Sequence, residues 1–197
     1  MELDLSQALL RELILKHSPD SRWSILAKAL ESLSPPYSIA EIGVYDGSCS
    51  ELLRKLLPTA TLYLIDPWEV STEYESSNGV RTIEDEEMQK AFQQVRELFA
   101  QDPLTHIVKN TSKEASSLVP NNLDLVFIDG NHDYHFVKED IELWLPKVRP
   151  GGVLAGHDYG RFSGVKKAVD ELLGSDVLIK EDFVWLHYTK APSGSFL

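Results

Sequence analysis

The residues best suited to chemistry stand where short apolar runs end, at the positions expected for the carboxyl ends of strands. Three of these ends carry an aspartate, and one of them also carries a histidine. A chain with only structural needs would more often place small or turn residues there. Parallel sheets bind ligands beyond the carboxyl ends of their strands, so we predict a polar site at this edge. The strand-end residues are Glu41–Gly43, Asp66, Lys109-Asn110, Asp129-Gly130 and His157-Asp158.

A glycine loop, Glu41-Ile-Gly-Val-Tyr-Asp-Gly-Ser48, joins the first of these strands to a helix. Glycines let a backbone approach a ligand closely, and a helix N-terminus offers N–H groups to an anion. The dinucleotide fingerprint would need glycine where Tyr45 and Ser48 stand, so a carboxylate has more room than a pyrophosphate. Asp66 follows Gly47 by 19 residues, the place of a ribose-binding acid. The other interpretation is a tight turn and a solvated aspartate.

The elements that position these residues alternate along the chain. Apolar runs predict strands over 38–43, 62–66, 106–109, 123–129, 152–155, 177–180 and 183–188. Helical periodicity covers 3–17, 21–33, 48–57, 84–101, 135–148 and 165–173. This alternation indicates an α/β fold with a mostly parallel sheet, helices on both faces and a final antiparallel strand pair.

Composition limits the class of protein. The chain has 197 residues, about one domain, with 43% apolar and 25% charged residues. Its formal charge of −12 argues against nucleic-acid binding, because phosphate backbones repel acidic surfaces. Cys49 is the only cysteine, and the sequence shows no signal peptide and no membrane span. We therefore expect a cytoplasmic protein.

Four ordered segments carry a family resemblance: AEIGVYDGS, LYLIDPW, LDLVFIDGNHDY and RPGGVLAGHDY. Over residues 38–189 the sequence resembles class I S-adenosylmethionine-dependent methyltransferases, and within them the small methyltransferase family 24-like subgroup with I-D-G-x-H-x-Y and H-D-Y motifs. The resemblance implies a Rossmann-like, doubly wound sheet of seven strands, order 3-2-1-4-5-7-6, with strand 7 antiparallel. A methyltransferase domain would span residues 35–197, behind an N-terminal helical cap of residues 1–34.

The resemblance also implies a role for each motif residue around S-adenosylmethionine. The methionine moiety would lie against the glycine loop, the ribose against the second strand, and the transferred methyl group near the end of the fourth strand. In that order the residues are Glu41, Gly43 and Gly47 with Ser48 at the carboxylate, Asp66 at the ribose, Pro67 and Trp68 beside the adenosine, Thr111 and Ser112 at the adenine, and Asp129 at the methyl group.

Catalysis is expected at Asp129 and at His132, three residues further on. An imidazole titrates near neutrality and can take the proton of an acceptor hydroxyl, although His132 could instead cap the next helix. Related O-methyltransferases hold a divalent metal at the ends of these strands, which implies Asp129 and Asp158 as ligands for Mg²⁺ or Mn²⁺, with His157 as a third. Many relatives have two carboxylates or Asp-Asn where His157-Asp158 stands, so local hydrogen bonding is the alternative.

The leading hypothesis is O-methylation of a small metabolite or sugar-like acceptor, with no nucleic-acid or membrane partner. A non-catalytic S-adenosylmethionine-binding or assembly module is the alternative, and Tyr45 and Ser48 disfavour a nicotinamide-dependent oxidoreductase. Residues 3–33 would cover the cleft or form a homodimer contact. In the acidic segment 69–87 we expect the first turn of a helix at Glu84–Glu87 and, around Tyr74–Arg81, a lid over the acceptor pocket.

Overall fold

Seven strands form one sheet in the order β3-β2-β1-β4-β5-β7-β6 in the computed structural model, which describes residues 12–69 and 84–190. Strands β1 to β5 run parallel, whereas β7 pairs antiparallel with both β5 and β6. The predicted order and the antiparallel strand 7 are confirmed. The strands are β1 (Ser38–Ile42), β2 (Thr61–Asp66), β3 (Thr105–Lys109), β4 (Leu123–Ile128), β5 (Val148–Gly156), β6 (Leu178–Ile179) and β7 (Trp185–Tyr188).

Helices cover both faces of the sheet and create two apolar cores. Helices α2, α3 and α4 pack on one face, and α5, α6 and α7 pack on the other. The helices are α1 (its described residues are 12–17), α2 (Arg22–Ala29), α3 (Ser48–Leu56), α4 (Asp85–Leu98), α5 (Ser112–Leu118), α6 (Tyr134–Trp144) and α7 (Ser163–Leu173), with a 3-10 turn at Leu145–Lys147.

Strand β4 lies in the middle of the sheet, and all six of its residues are buried. Burial on both faces explains why its sequence is a nearly continuous apolar run rather than an alternating one. Helix α2 belongs to the same core as the sheet, since Leu26 and Leu30 are fully buried within it. The boundary at residue 34 between a cap and a domain stays a prediction.

Helix α5 and the start of strand β5 differ from the sequence prediction. Helix α5 was not predicted, because within Ser112–Leu118 only Ala115 is buried and no apolar stripe marks a helix. Strand β5 begins at Val148, four residues before the predicted start, and its pairing with β4 shifts register between Leu123 and Leu125. This irregular first half contains Pro150-Gly151-Gly152. Because proline and glycine normally indicate turns, the sequence did not predict a strand there.

The topology places a groove at the carboxyl ends of β1 and β4. Strand β1 pairs with β2 on one side and with β4 on the other, so the chain reverses its direction of winding there. Such switch points are where open α/β sheets bind ligands. Among the described residues, no helix combines the length and apolar character needed to cross a membrane.

Candidate active site

The glycine loop packs directly on the end of β4. Gly43 has φ +85°, and a Cβ added there would lie 2.3 Å from the carbonyl oxygen of Asp129. On either side of this contact, the Asp129 N–H donates to the Ile42 carbonyl at 2.8 Å, and the Gly43 N–H donates to the Ile65 carbonyl at 2.9 Å. Glycine at position 43 therefore joins the loop to the strand end that carries Asp129.

Asp66 holds the glycine loop in place. One carboxylate oxygen accepts the N–H groups of Val44 and Tyr45 at 3.0 and 2.9 Å, and the other accepts the N–H of Trp68 at 2.7 Å. Burial raises the pKa of Asp66 and outweighs the three N–H donors, which lower it. The predicted ribose ligand is thus also the residue that sets the shape of the loop.

Glu41 lies below the loop and is almost completely buried, at 2% exposure. It accepts a hydrogen bond from the Ser50 hydroxyl at 2.5 Å. Burial raises the pKa of Glu41 to about 7, although the hydrogen bonds from Ser50 and Cys49 oppose that shift. Glu41 is therefore a support beneath the predicted methionine pocket.

Helix α3 begins next to Glu41 with Ser48, the residue predicted to contact the carboxylate of the donor's methionine moiety. Gly47 is its N-cap residue, with φ 79° and no side-chain cap. The Ser48 N–H donates to the side chain of Asp46 at 3.0 Å. One amide at the N-terminus of α3 is therefore already bonded within the chain.

The residues predicted around the adenosine have mostly internal partners. The Trp68 indole is fully buried, donates to the Tyr45 carbonyl at 2.8 Å and packs on Phe92, so it belongs to the core rather than to the wall of the groove. The Ser112 hydroxyl donates to Asp140 and accepts the Trp144 indole N–H at 2.8 Å. Thr111 caps α5, Pro67 precedes the buried indole, and adenosine contacts at these positions stay a prediction.

A charged cluster lies at the ends of β4 and β5. The His132 Nε2 atom is 2.8 Å from Asp158 Oδ2, and His157 Nδ1 is 3.3 Å from that same oxygen. His157 Nδ1 is also 3.4 Å from Asp129 Oδ1. Asp158 has φ 61°, an unusual conformation for a residue other than glycine. Such strain at a polar strand end is typical of functional sites.

The pKa values of this cluster follow from its contacts. Burial lowers the pKa of His157, but its hydrogen bonds to Asp129 and Asp158 raise it to about 9. Burial raises the pKa of Asp158, but the two imidazoles hold it well below its usual range. Asp158 is therefore an anion, and His157 is cationic at neutral pH.

His132 is oriented by its neighbours rather than used as a helix cap. The N-cap of α6 is Asp133, and His132 stacks on Phe162 with ring centroids 4.1 Å apart and an interplanar angle of 3°. A Cβ at Gly164 would lie 2.4 Å from the His132 carbonyl oxygen, so glycine lets α7 begin against this loop. The two contacts fix an imidazole at the mouth of the groove.

Arg22 joins the site from the N-terminal helices and was missed by the sequence analysis. Its Nη1 atom is 2.5 Å from Asp129 Oδ2, and its backbone N–H donates to Asp182 at 3.0 Å. Burial lowers its pKa, but Asp129 and Asp182 raise it above the ordinary arginine value. No sequence signal links Arg22 to residues so far away in the chain.

The cluster fits a divalent metal. Among the described residues, Asp129, His132 and Asp158 offer ligand atoms that all lie within 4.8 Å of one another. Asp158 Oδ1 is buried and has no hydrogen-bond partner within the described part of the chain. His132 thus joins Asp129 and Asp158 in a possible ligand set, and His157 as a metal ligand stays a prediction. Two carboxylates and an imidazole suit Mn²⁺ better than Mg²⁺.

A small pocket opens beside the cluster. Its polar wall includes Asp129, Asn131, His132 and His157, and its apolar wall includes Val137 and Trp185. The enclosed space is only about 10 Å³, far below the roughly 300–1,000 Å³ of most small-molecule sites, so it holds no whole acceptor. The lid predicted within 69–87 lies mostly outside the described residues. The described Glu84 to Glu87 form the N-cap and first turn of α4.

Comparisons with known proteins agree with this architecture. The family model described as "Methyltransferase domain" (methyltransferase family 24) matches residues 40–159. A curated relative, the uncharacterized protein y4gI of Sinorhizobium fredii (strain NBRC 101917 / NGR234), is 30% identical over 150 residues, or 73% of this chain. The chain spans only 15% of that relative's length.

Solved structures share the fold at low sequence identity. A Corynebacterium glutamicum protein has a TM-score of 0.62 at 17% identity, covering 99% of this chain and 94% of its own. The O-methyltransferase NovP has a TM-score of 0.63 at 17% identity, covering 94% of this chain and 79% of its own. A putative caffeoyl-CoA O-methyltransferase from Staphylococcus aureus has a TM-score of 0.56 at 15% identity, covering 94% and 100%. From the family match and its agreement with the fold, the chain belongs to this methyltransferase domain family.

Proposed function

We propose that this domain transfers a methyl group from S-adenosylmethionine to an oxygen of a small-molecule acceptor. The observation that carries the proposal is the contact between Gly43 and the backbone of Asp129. It places the predicted donor loop next to a cluster of two carboxylates and two imidazoles. Donor binding and proton removal are then adjacent, as an in-line transfer requires. The printed names of NovP and of the Staphylococcus aureus protein support oxygen as the acceptor atom.

The donor would bind in the groove between the glycine loop and the end of β2. S-adenosylmethionine supplies a methyl group on a sulfonium, which makes that carbon electrophilic. Asp66 fixes the loop through Val44 and Tyr45, and Asp129 supplies negative charge near the expected sulfonium. Because the loop is already held by internal hydrogen bonds, binding requires little reorganisation.

His132 is suited to take the acceptor's proton. Its Nε2 atom lies 2.8 Å from Asp158 Oδ2, so this carboxylate orients the ring. The carboxylate of Asp158 then stabilises the imidazolium that forms, and Phe162 keeps the ring plane fixed. Asp158 is a positioning residue in this arrangement.

A divalent metal would be held by Asp129, His132 and Asp158. It would lower the pKa of a coordinated hydroxyl and fix its orientation. The two uses of His132 exclude each other. A neutral imidazole that binds an ion through one ring nitrogen carries its proton on the other, so no basic nitrogen is left. Addition of a chelator therefore separates the metal-assisted form of the proposal from the metal-free form.

The direct test is an acceptor screen with methyl-labelled S-adenosylmethionine, run with and without chelator. We expect the label in a methoxy group formed from a hydroxyl of the acceptor, and we expect it to be lost in His132→Ala and in Asp158→Asn. Label on nitrogen, or no label with any acceptor class, would contradict the proposal. A thermal-shift comparison should show stabilisation by S-adenosylmethionine and none by NAD, because Tyr45 and Ser48 replace the fingerprint glycines.

A non-catalytic S-adenosylmethionine-binding module is the second candidate. It is favoured by one observation: Arg22 and His157 already neutralise Asp129 within the chain. In that case Asp129→Asn would leave every output of the protein unchanged.

A further inference from the structure

Arg22 has two carboxylate partners at the site. Its Nη1 atom contacts Asp129 Oδ2 at 2.5 Å, whereas its Nε atom lies 3.5 Å from Asp182 Oδ2. The helix that carries it is anchored by Leu26 and Leu30 in the core, and the backbone N–H of Arg22 is bonded to Asp182. The guanidinium can therefore shift from one carboxylate to the other while the backbone of α2 stays in place.

The Arg22 contact and the candidate metal site share Asp129. The guanidinium binds one Asp129 oxygen, and His157 Nδ1 lies 3.4 Å from the other. A divalent ion at Asp129, His132 and Asp158 would stand beside the guanidinium within a partly buried site. Like charges at such distances repel strongly where water is scarce, so the two cations disfavour each other at Asp129.

We propose that Arg22 is a built-in competitor for the divalent ion at Asp129. The guanidinium occupies this carboxylate when no ion is bound, and it turns to Asp182 when an ion binds. The proposal rests on the metal site in the proposed function, and it makes ion affinity depend on a helix outside the matched family segment.

The test measures Mn²⁺ binding from the paramagnetic resonance signal of the free ion, without substrates. We expect Arg22→Gln to bind Mn²⁺ about tenfold more tightly than the wild-type protein, within the usual range of coupling between two sites. Arg22→Lys keeps the charge and should stay within about threefold of wild type. Arg149→Gln is the matched control, because it removes an arginine from another aspartate, Asp124, away from the site.

Asp182 provides a second, independent test. Asp182→Asn removes the alternative partner of Arg22, so it should weaken Mn²⁺ binding about threefold in the wild-type background. In the Arg22→Gln background the same change should have no effect, since no guanidinium is left to relocate. An equal loss in both backgrounds would show that Asp182 acts only through its charge, and would overturn the relocation.

The possible failures can be told apart. If wild type and Arg22→Gln bind Mn²⁺ equally, the competition is wrong and the metal site stands. If neither variant binds Mn²⁺, the metal-assisted form of the proposed function fails and the competition fails with it. Circular dichroism confirms that each variant is folded before its affinity is compared.

Discussion

The two halves of the groove satisfy their polar groups in different ways. On the β1–β2 side, Asp66 is bonded to three backbone N–H groups and Glu41 to a serine hydroxyl. On the β4–β5 side, carboxylates face imidazoles and a guanidinium, and both His157 Nε2 and Asp158 Oδ1 are buried without a hydrogen-bond partner in the described chain. The first half is bonded to its own backbone, whereas the second half pairs charge with charge.

This difference corresponds to two tasks. Backbone hydrogen bonds fix a loop at every pH where the carboxylate is ionised, which suits recognition of one constant ligand. A cluster of charged side chains can exchange protons or cations, which suits chemistry. In the second half, His157 Nε2 lies 3.7 Å from Asp182 and Asp158 Oδ1 lies 3.7 Å from Arg161, so these two buried atoms have ionic neighbours but no hydrogen bond.

The contact between Gly43 and the Asp129 backbone joins the two halves, and we expect it to be the most sensitive to mutation. Gly43→Ala should lower the free energy of unfolding by about 3 kcal/mol or more and abolish S-adenosylmethionine binding, because the new Cβ would meet the Asp129 carbonyl at a positive φ. Gly160→Ala is the matched control: its φ is +83° and no atom lies within 4 Å of its Cβ. It should cost about 1 kcal/mol. Equal losses in chemical denaturation would show that the halves do not depend on this contact.

Substitution of Asp129 should lower turnover while leaving donor binding nearly unchanged. Asp129→Asn is expected to reduce turnover roughly a hundredfold or more, with S-adenosylmethionine affinity within about threefold of wild type. Turnover with the best acceptor and calorimetric binding of the donor measure the two effects. The exposed Asp176→Asn serves as the control for lost charge. A parallel loss of binding and turnover would place Asp129 in the donor half.

The buried carboxyl of Glu41 should give the donor half a pH signature. Its pKa is about 7 in the folded protein and ordinary in the unfolded chain, so the folded state binds more protons between these values. Stability should therefore fall as the pH rises from about 4.5 to 7, by on the order of 3 kcal/mol, and level off above. Glu41→Gln should flatten this part of the denaturation profile. An unchanged slope would mean that Glu41 is already ionised.

Asp140, outside the groove, should show the same pH dependence as Glu41. Burial raises its pKa to about 7, although the hydrogen bond from Ser112 opposes that shift. Asp140→Asn should flatten the same pH range without any change in donor affinity. If it weakened donor binding, the α5–α6 contact would belong to the site.

Among these substitutions, Ser112→Ala should have the smallest effect on stability and donor affinity. Ser112→Ala leaves Asp140 and the Trp144 indole without their shared partner, which should cost about 1–2 kcal/mol of stability. Donor affinity should stay within about threefold of wild type if the hydroxyl is used internally. Ser116→Ala, whose hydroxyl bonds only the neighbouring Lys113 carbonyl, is the control. A larger loss of affinity would support the predicted adenine contact.

The sequence was sufficient for the sheet because its periodicity is local. The run Leu123–Ile128 is apolar because β4 is buried on both faces, and each strand end brings its polar residue to one edge. Helix α5 was not predictable, since its packing depends on Ala115 alone and on a serine shared with α6.

The site was predictable in its composition but not in its pairing. Asp129, His132, His157 and Asp158 were all expected at the β4–β5 edge, and the structure places them together. That His132 joins Asp129 and Asp158 in a possible ligand set depends on side-chain directions, which periodicity does not contain. Arg22 reaches Asp129 across 107 residues of sequence, a contact that only the packing of α2 on the sheet determines.

In the proposed function, one nucleoside sulfonium binds at the junction of the two halves, next to Asp129. Calorimetric titration of S-adenosylmethionine into the wild-type protein and into Asp129→Asn tests it most directly. We predict one binding site per chain in both proteins, with turnover in the wild type alone. A wild-type protein that releases no heat with S-adenosylmethionine would contradict the account.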